Sequence, residues 1–428
     1  MLRRVIAACL ILGVSTPLHA QTLRERVEEL FRFGNCDEPL CLAGSLAENE
    51  HGRHYIPAAT QGNLALIEFV TEAIGLNVAS VPVPATSSGA TFAFQGGVPV
   101  KTSVSAGPFL GERAPTLGRG RLLVGANVTS VNFTTLRGVP LKNLQFTFTH
   151  QDVPGGGGGL GDPEFENEVI DVTTALDVNL IVTQFFTTYG ITDWLDFGVA
   201  VPLVNTSLTG RATAQIVPFS DNAPHFFAGT SANPVLRATS FVDGSSTGIG
   251  DIAVRAKLNL SRGARGGFSL LGDVRFPTGD ENELLGSGEL SARGLAVTSA
   301  RFGDFTPHLN VGYLYRHGEL QNSAFLAIAG FDHLLAANLT FAADLLTERQ
   351  VGGNELSLPG PITIDQPFRR VVNPTTIPDE RDDLTNLSVG FKFGAGRSMT
   401  IVANTLVPLG RAGLRPDAVW TGGLEYNF

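Results

Sequence analysis

Val169-Ile170-Asp171-Val172-Thr173-Thr174-Ala175-Leu176-Asp177-Val178-Asn179-Leu180-Ile181-Val182-Thr183 alternates apolar and polar residues for more than ten positions. Successive side chains of a strand point to opposite faces, so this period of two predicts one long β-strand with an apolar face and a polar face. The pattern returns in Ile252, Val254, Ala256, Leu258 and Leu260 against Asp251, Arg255, Lys257 and Asn259. It returns again in Phe268, Leu270, Val274 and Phe276 against Ser269, Asp273 and Arg275, and in Leu309, Val311, Tyr313 and Tyr315 against His308, Asn310 and Arg316. These runs are about 10 to 13 residues long, whereas soluble strands usually have five or six and tilted membrane strands need about 9 to 11. A soluble β-sandwich also alternates; strand length sets the two readings apart.

Working outward from these strands, the connections alternate in length. Short links near Gly190, Gly263 to Gly267, Gly303, Asp332 and Gly394 to Gly396 interleave with longer ones at 209–246, 279–289, 348–383 and 409–415, while the link at 318–320 is short as well. Short periplasmic turns and long outer loops are the habit of bacterial outer-membrane barrels. The chain ends with Trp420, Leu424, Tyr426 and Phe428, placed as one aromatic face with a terminal Phe. Such an end resembles the signal read by the outer-membrane assembly machinery. The fold class read from this is all-β: a transmembrane antiparallel up-and-down β-barrel of about 14 strands, with 12 as the smaller count, whose partner is outer-membrane lipid. In the larger count the first strand lies near residues 90–104. An even number puts the N-terminal region on the periplasmic side.

The N-terminus agrees with export. Arg3 and Arg4 precede an apolar stretch from Val5 to Val14 and a small-residue exit at Leu18, His19 and Ala20, the form of a secretory signal peptide over residues 1–20. A lipoprotein cleavage before Cys9 would leave almost no apolar region for the export machinery. Composition supports a lipid-facing protein: 16% of the 428 residues are charged, against a usual share of about 25%. The net charge is −10, and an acidic surface repels phosphate backbones, which argues against nucleic acid as a partner. Residues 21–85 read as a small helical domain. Thr22 and Glu25 form a capping-box pattern ahead of Leu23, Val27, Leu30 and Phe31, and a second helix spans about 63–74. Residues 86–428 are left for the barrel.

Several motifs suggest other chemistry. Gly244-Ser245-Ser246-Thr247-Gly248 fits G-x-S-x-G, which would make Ser246 the nucleophile of an outer-membrane hydrolase, but no helix pattern follows. Gly155 to Gly159 with Gly161 lacks the strand and helix of a dinucleotide site, and no cofactor is read from the sequence. Cys36, Cys41, His51 and His54 could hold zinc, yet their spacing is not that of a finger and an oxidising compartment favours a Cys36–Cys41 disulfide. Asp280, Glu281, Glu283 and Glu289, and Asp379, Glu380, Asp382 and Asp383, lack the spacing of a calcium loop, so no metal site is assigned. The polar face of the strands supplies the candidate lumen lining: Asp171, Asp177, Asp251, Arg255, Lys257, Asp273, Arg275, Arg316 and Asp344. They form either a salt-bridge lattice that stiffens the wall or a polar pathway.

Tyr189-Gly190-Ile191-Thr192-Asp193-Trp194-Leu195-Asp196-Phe197-Gly198-Val199-Ala200-Val201-Pro202 resembles a hairpin of the outer-membrane transporters grouped under the meta-pathway of phenol degradation. Gly248-Ile249-Gly250-Asp251-Ile252 and Phe276-Pro277-Thr278-Gly279-Asp280 are similar to two more of that family's recurring pieces, in the same order. The resemblance implies a channel or transporter, not an enzyme, that passes a small hydrophobic or aromatic ligand across the outer membrane, by analogy with the long-chain fatty-acid transporter type. That type carries an N-terminal plug beginning in an Asn-Pro-Ala manner, and residues 21–85 do not. A barrel of about 14 strands would leak if empty, so these residues are read as a plug held by the disulfide, or else as a periplasmic module. The alternative function is a structural barrel that binds a partner through its outer loops.

Overall fold

The computed structural model of the chain describes residues 21–31, 33–34, 40–41, 43–44, 68–73, 92–95, 98–101, 105–149, 168–218, 225–230, 232–263, 266–317, 322–356, 358–365, 368–396 and 398–428. The export signal over 1–20, Cys36, His51, His54 and the glycine run at 155–159 lie outside these. Its core is a sheet made of β1 (Leu122–Leu136), β2 (Val169–Gly190), β3 (Leu195–Val217), β4 (Arg237–Ile249), β5 (Ile252–Arg262), β6 (Gly266–Phe276), β7 (Ser291–Ala300) and β8 (Phe305–Arg316). It continues through β9 (Ala324–Ala336), β10 (Leu339–Gln350), β11 (Leu384–Ala395), β12 (Met399–Pro408) and β13 (Leu414–Asn427). Each strand pairs antiparallel with the next except β4 and β5, which both pair with β3, β4 standing above β5 on its edge, and β13 returns to pair with β1. Among the described residues twelve strands therefore close the ring, with β4 as an extension. This is an all-β barrel with the smaller of the two strand counts.

The first barrel strand is not at residues 90–104. Phe92–Gln95 and Val98–Lys101 pair only with each other, and the chain enters the wall at Leu122. Gly107, Pro108, Gly111, Pro115, Gly118 and Gly120 stand between, and proline cannot donate to a ladder while glycine has no side chain to pack. The turn expected at Asp332 falls instead at residues 337–338, and Asp332 is a wholly buried inward residue of β9.

Outward positions carry the belt that lipid requires: Ile181, Phe185 and Tyr189 on β2, Leu309, Val311 and Tyr313 on β8, Phe391 and Phe393 on β11. No described helix is long and apolar enough to cross a membrane. On the outer face of the closing strand Trp420, midway along it, and Phe428, at the end with the short turns, are each 65% exposed, and the Phe428 N–H donates to Leu122 O at 2.8 Å across the closing seam. Deletion of Phe428 should lower the amount of heat-modifiable barrel in the outer membrane; unchanged yield would count against the terminal signal.

β2 and β3 have 22 and 23 residues, about 70 Å of strand at roughly 3.3 Å per residue, twice what a bilayer core needs. Their outer halves, with β4 and the short strand Leu144–Thr149, rise above the rest of the wall. There the apolar face turns inward. Val172, Leu176, Val178 and Leu180 are buried, as are Leu208, Ala212 and Ile216 of β3, and they pack on helix α1 (Leu23–Glu29) and on Phe69 and Val70 of the helical residues 68–73. The capping box is present, with Thr22 accepting from the Glu25 N–H and Glu25 from the Thr22 N–H at 2.8 Å. Leu23, Val27, Leu30 and Phe31 are almost fully buried, each contributing on the order of 2 kcal/mol of burial. Part of the N-terminal region thus lies against the inner face of the tall outer wall.

Candidate functional site in the lumen

Residues 105–117 form a strap across the short-turn half of the lumen, and the inward side chains of the wall bind it from end to end. At its start, Arg113 Nε donates to Asp332 Oδ1 at 2.8 Å, and the Arg113 guanidinium also holds Ser105, which itself bonds Asp332. The Ala106 N–H donates to Thr340 Oγ1 at 2.8 Å. Asp344 Oδ2 accepts from the N–H groups of Phe109 (3.0 Å), Leu110 (2.8 Å) and Gly111 (3.4 Å). Its other oxygen lies 2.6 Å from His308 Nε2. Gly111 is required here, because a Cβ would fall 2.3 Å from His308 Nε2.

The middle of the strap is an ion-pair cluster. Glu112 accepts from Arg255 Nη1 at 2.9 Å and from Lys257 Nζ at 3.0 Å, while its backbone exchanges two hydrogen bonds with Asn310. Asp273 takes Arg255 at 3.2 Å and also Arg293. Further along, Ala114 N–H donates to Ser299 Oγ, and Ala114 O accepts from Asn259 and Ser269. The exit is held by the hairpin motif noted in the sequence: Leu117 N–H donates to Asp196 Oδ2 at 2.8 Å and Thr116 Oγ1 to Asp193 O at 2.6 Å. A Cβ on Gly190 would meet Gly118 O at 1.9 Å, so that glycine lets the strap leave the lumen.

Of the nine candidate lining residues, Arg255, Lys257, Asp273 and Asp344 meet around the strap. Arg275 sits inward near Asp273 and Asp251. Asp251 fills a different role: it accepts from the N–H groups of Gly279 (3.1 Å) and Ser287 (2.9 Å), tying the 277–290 loop to the break between β4 and β5. Arg316 lies at the outer rim, on Glu348 at 2.6 Å. Asp171 and Asp177 are corrected: they stand on the outer face of the wall, where Asp171 accepts from Thr147 Oγ1 and Asp177 from Asn179. That half of β2 rises above the membrane, so water meets its outer face and the apolar residues turn in. Glu112, Arg113, Ser105, Asp332, Lys392 and Glu425 were missed. Lys392 pairs with Glu425 at 3.5 Å and covers the Phe109 ring at 5.3 Å. The inward parity of β9, β11 and β13 could have found the wall partners; nothing periodic marks the strap.

At the outer mouth a second buried charge fixes a loop. Arg137 donates to Asp382 Oδ1 at 2.9 Å and Oδ2 at 3.1 Å, to Leu356 O at 3.0 Å and to Pro378 O at 3.2 Å, with Phe69 under its guanidinium. Beside it Asp383 accepts from the Gln350 N–H at 2.9 Å. Burial pushes the Asp383 carboxyl up, but that N–H and the Arg381 and Arg349 guanidiniums outweigh it and hold the carboxyl below its ordinary range. This contribution is present above the ordinary carboxylate range and is lost in acid. Removing one partner of a buried pair costs about 3–5 kcal/mol. Arg137→Met should therefore speed proteolysis within 351–383 while leaving the barrel heat-modifiable; unchanged proteolysis would show that the loop is held by its apolar contacts alone.

A closed strand ring with a lipid-facing belt and an occupied lumen defines a transmembrane β-barrel of the bacterial outer-membrane kind. Within that class, residues 153–356 match the model of the family described as "Putative MetA-pathway of phenol degradation". No curated protein matches the chain by sequence. Solved structures similar to it include an outer membrane channel from Pseudomonas putida F1, at 12% identity and TM-score 0.41, covering 74% of this chain and 98% of that one. The CymD monoaromatic hydrocarbon channel gives 10% identity and TM-score 0.35, covering 73% and 89%. The P. putida toluene transporter TodX gives 10% and 0.32, covering 72% and 89%.

Proposed function

We propose that the chain is an outer-membrane channel or transporter for the passive passage of small hydrophobic or aromatic compounds, and that it performs no catalysis. The observation that carries this reading is the inner surface of the outer half. There Leu176, Val178, Leu208, Phe146 and Phe148 turn an apolar face inward and pack against α1 and Phe31, where a porin for polar solutes would be hydrophilic. The strap below it then separates this apolar outer half from the periplasm. The reading includes a cleaved signal over 1–20, a Cys36–Cys41 disulfide, and Trp420, Leu424, Tyr426 and Phe428 as the signal for the assembly machinery. In cells lacking other hydrocarbon channels, initial uptake of at least one of radiolabelled toluene and radiolabelled benzoate, each at low concentration, should rise several-fold when the chain is expressed. Equal uptake of both with and without it would overturn the proposal.

A second reading, a surface barrel that binds a partner, draws on the polar outer face of β2, β3 and β4 standing clear of the membrane. A hydrolase has no such support: Gly244 to Gly248 lie inside β4, paired in register with Val204 to Leu208, and no helix follows Ser246 to form an elbow.

A further inference from the structure

The cluster around Glu112 has an uneven charge balance. Four bases face the lumen on β5, β6 and β7: Arg255, Lys257, Arg275 and Arg293. The acids of the same wall are Asp273, which takes Arg255 and Arg293, and Asp251, which is bound by loop N–H groups. The strap supplies a third carboxylate, Glu112, so four bases face three acids. Glu112 sits 2.9 Å from Arg255 Nη1 and 3.0 Å from Lys257 Nζ, and all three side chains are less than one tenth exposed. Lys257 has Glu112 as its ion-pair partner among the described residues. Beside this cradle the wall is apolar: Lys257 stands opposite Leu271 in register, Leu271 opposite Leu295, and these pack with Val297 and Leu326.

We propose that Glu112 occupies, as part of the closed chain, a binding site for the carboxylate of a small apolar acid, made of Arg255 and Lys257 with the Leu271–Leu295 patch as the bed for its apolar body. The inference rests on the transport reading for its purpose and narrows it to a substrate class: amphipathic carboxylates such as benzoate rather than neutral hydrocarbons. A strap that moves aside leaves Lys257 without the Glu112 carboxylate and Arg255 with Asp273, which is costly while the cradle stays sheltered from water. A ligand carboxylate that enters the cradle offsets that cost, so ligand entry and strap release favour each other. A neutral arene offers no such exchange.

Chemical rescue tests the cradle without any transport measurement. Purified full-length Glu112→Ala protein in detergent should lose its compact, heat-modifiable form at a lower temperature than wild type. Millimolar sodium benzoate should raise that temperature by several degrees, acetate by less for want of the apolar body, and phenol not at all. Wild type, whose cradle is filled, should not respond. Adding Lys257→Met to the variant should abolish the rescue. Should Glu112→Ala fail to assemble, Glu112→Gln keeps the side-chain volume and is read the same way. Equal benzoate effects on wild type and variant, or rescue by phenol as well as by benzoate, would overturn the proposal. Failed uptake of both toluene and benzoate would sink the transport reading while leaving this rescue result standing.

Discussion

A chain that begins at Gly118 behind its export signal should conduct ions freely in planar bilayers, whereas one that begins at residue 86 should stay nearly closed. Both retain every barrel strand, since β1 starts at Leu122, and both should remain heat-modifiable. The difference is the strap. It is tied to β10 through Asp344, to β9 through Asp332, to β5 through Arg255 and Lys257, and to β3 through Asp196. Such a span fills the short-turn half of a twelve-stranded barrel. Without it the inward charges of both signs face water, and conductance should be ohmic. Neutralising Arg255 and Lys257 should then shift selectivity toward cations, and neutralising Asp332 and Asp344 toward anions. The helices that pack in the outer half, α1 and residues 68–73, are absent from both chains, so the comparison isolates residues 86–117. Equal conductance of the two chains would place the barrier outside the strap.

The barrel was legible because period-two alternation is a backbone property, and it survives whichever side of the wall faces lipid. The direction of each face was not. In β2 the apolar residues fall on even positions through Val182 and on odd positions from Ile181 onward, so Leu180, Ile181 and Val182 mark the slip. Above that point the apolar face meets the helices inside, and below it meets lipid outside. Alternation alone cannot tell these apart, which is why Asp171 and Asp177 were assigned to the lumen. The quoted stretches were legible as strings, but their work was not: Asp193 and Asp196 hold the strap, and Asp251 holds the loop at Gly279 and Ser287. The strap itself has no period. Its Gly and Pro residues keep it out of helix and strand, and its order comes from wall residues far away in the chain.

Asp344→Ala should convert the closed full-length protein into one that opens frequently at constant voltage. Asp344 is wholly buried, and its carboxylate is the acceptor for three successive strap N–H groups as well as the partner of His308. Hydrogen bonds to a charged group contribute roughly 1.5–3 kcal/mol each, and stranding their donors in a buried site adds a desolvation cost. Losing all of them exceeds what the neighbouring Ala106–Thr340 bond can offset, so the stretch 106–111 should detach while Arg113–Asp332 and the Glu112 cluster still tether the strap beyond it. The expected record is therefore partial: brief openings of intermediate conductance, smaller than those of the chain beginning at Gly118. Asp344→Asn keeps two polar atoms but presents N–H groups to other donors on one side, so it should open less often than alanine and more often than wild type. Gly111→Ala, whose Cβ would strike His308 Nε2, should push the same way without removing any acceptor. If Asp344→Ala were as silent as wild type while still heat-modifiable, the strap would be held by its ion pairs alone, and the three N–H contacts would have no part in keeping the lumen shut.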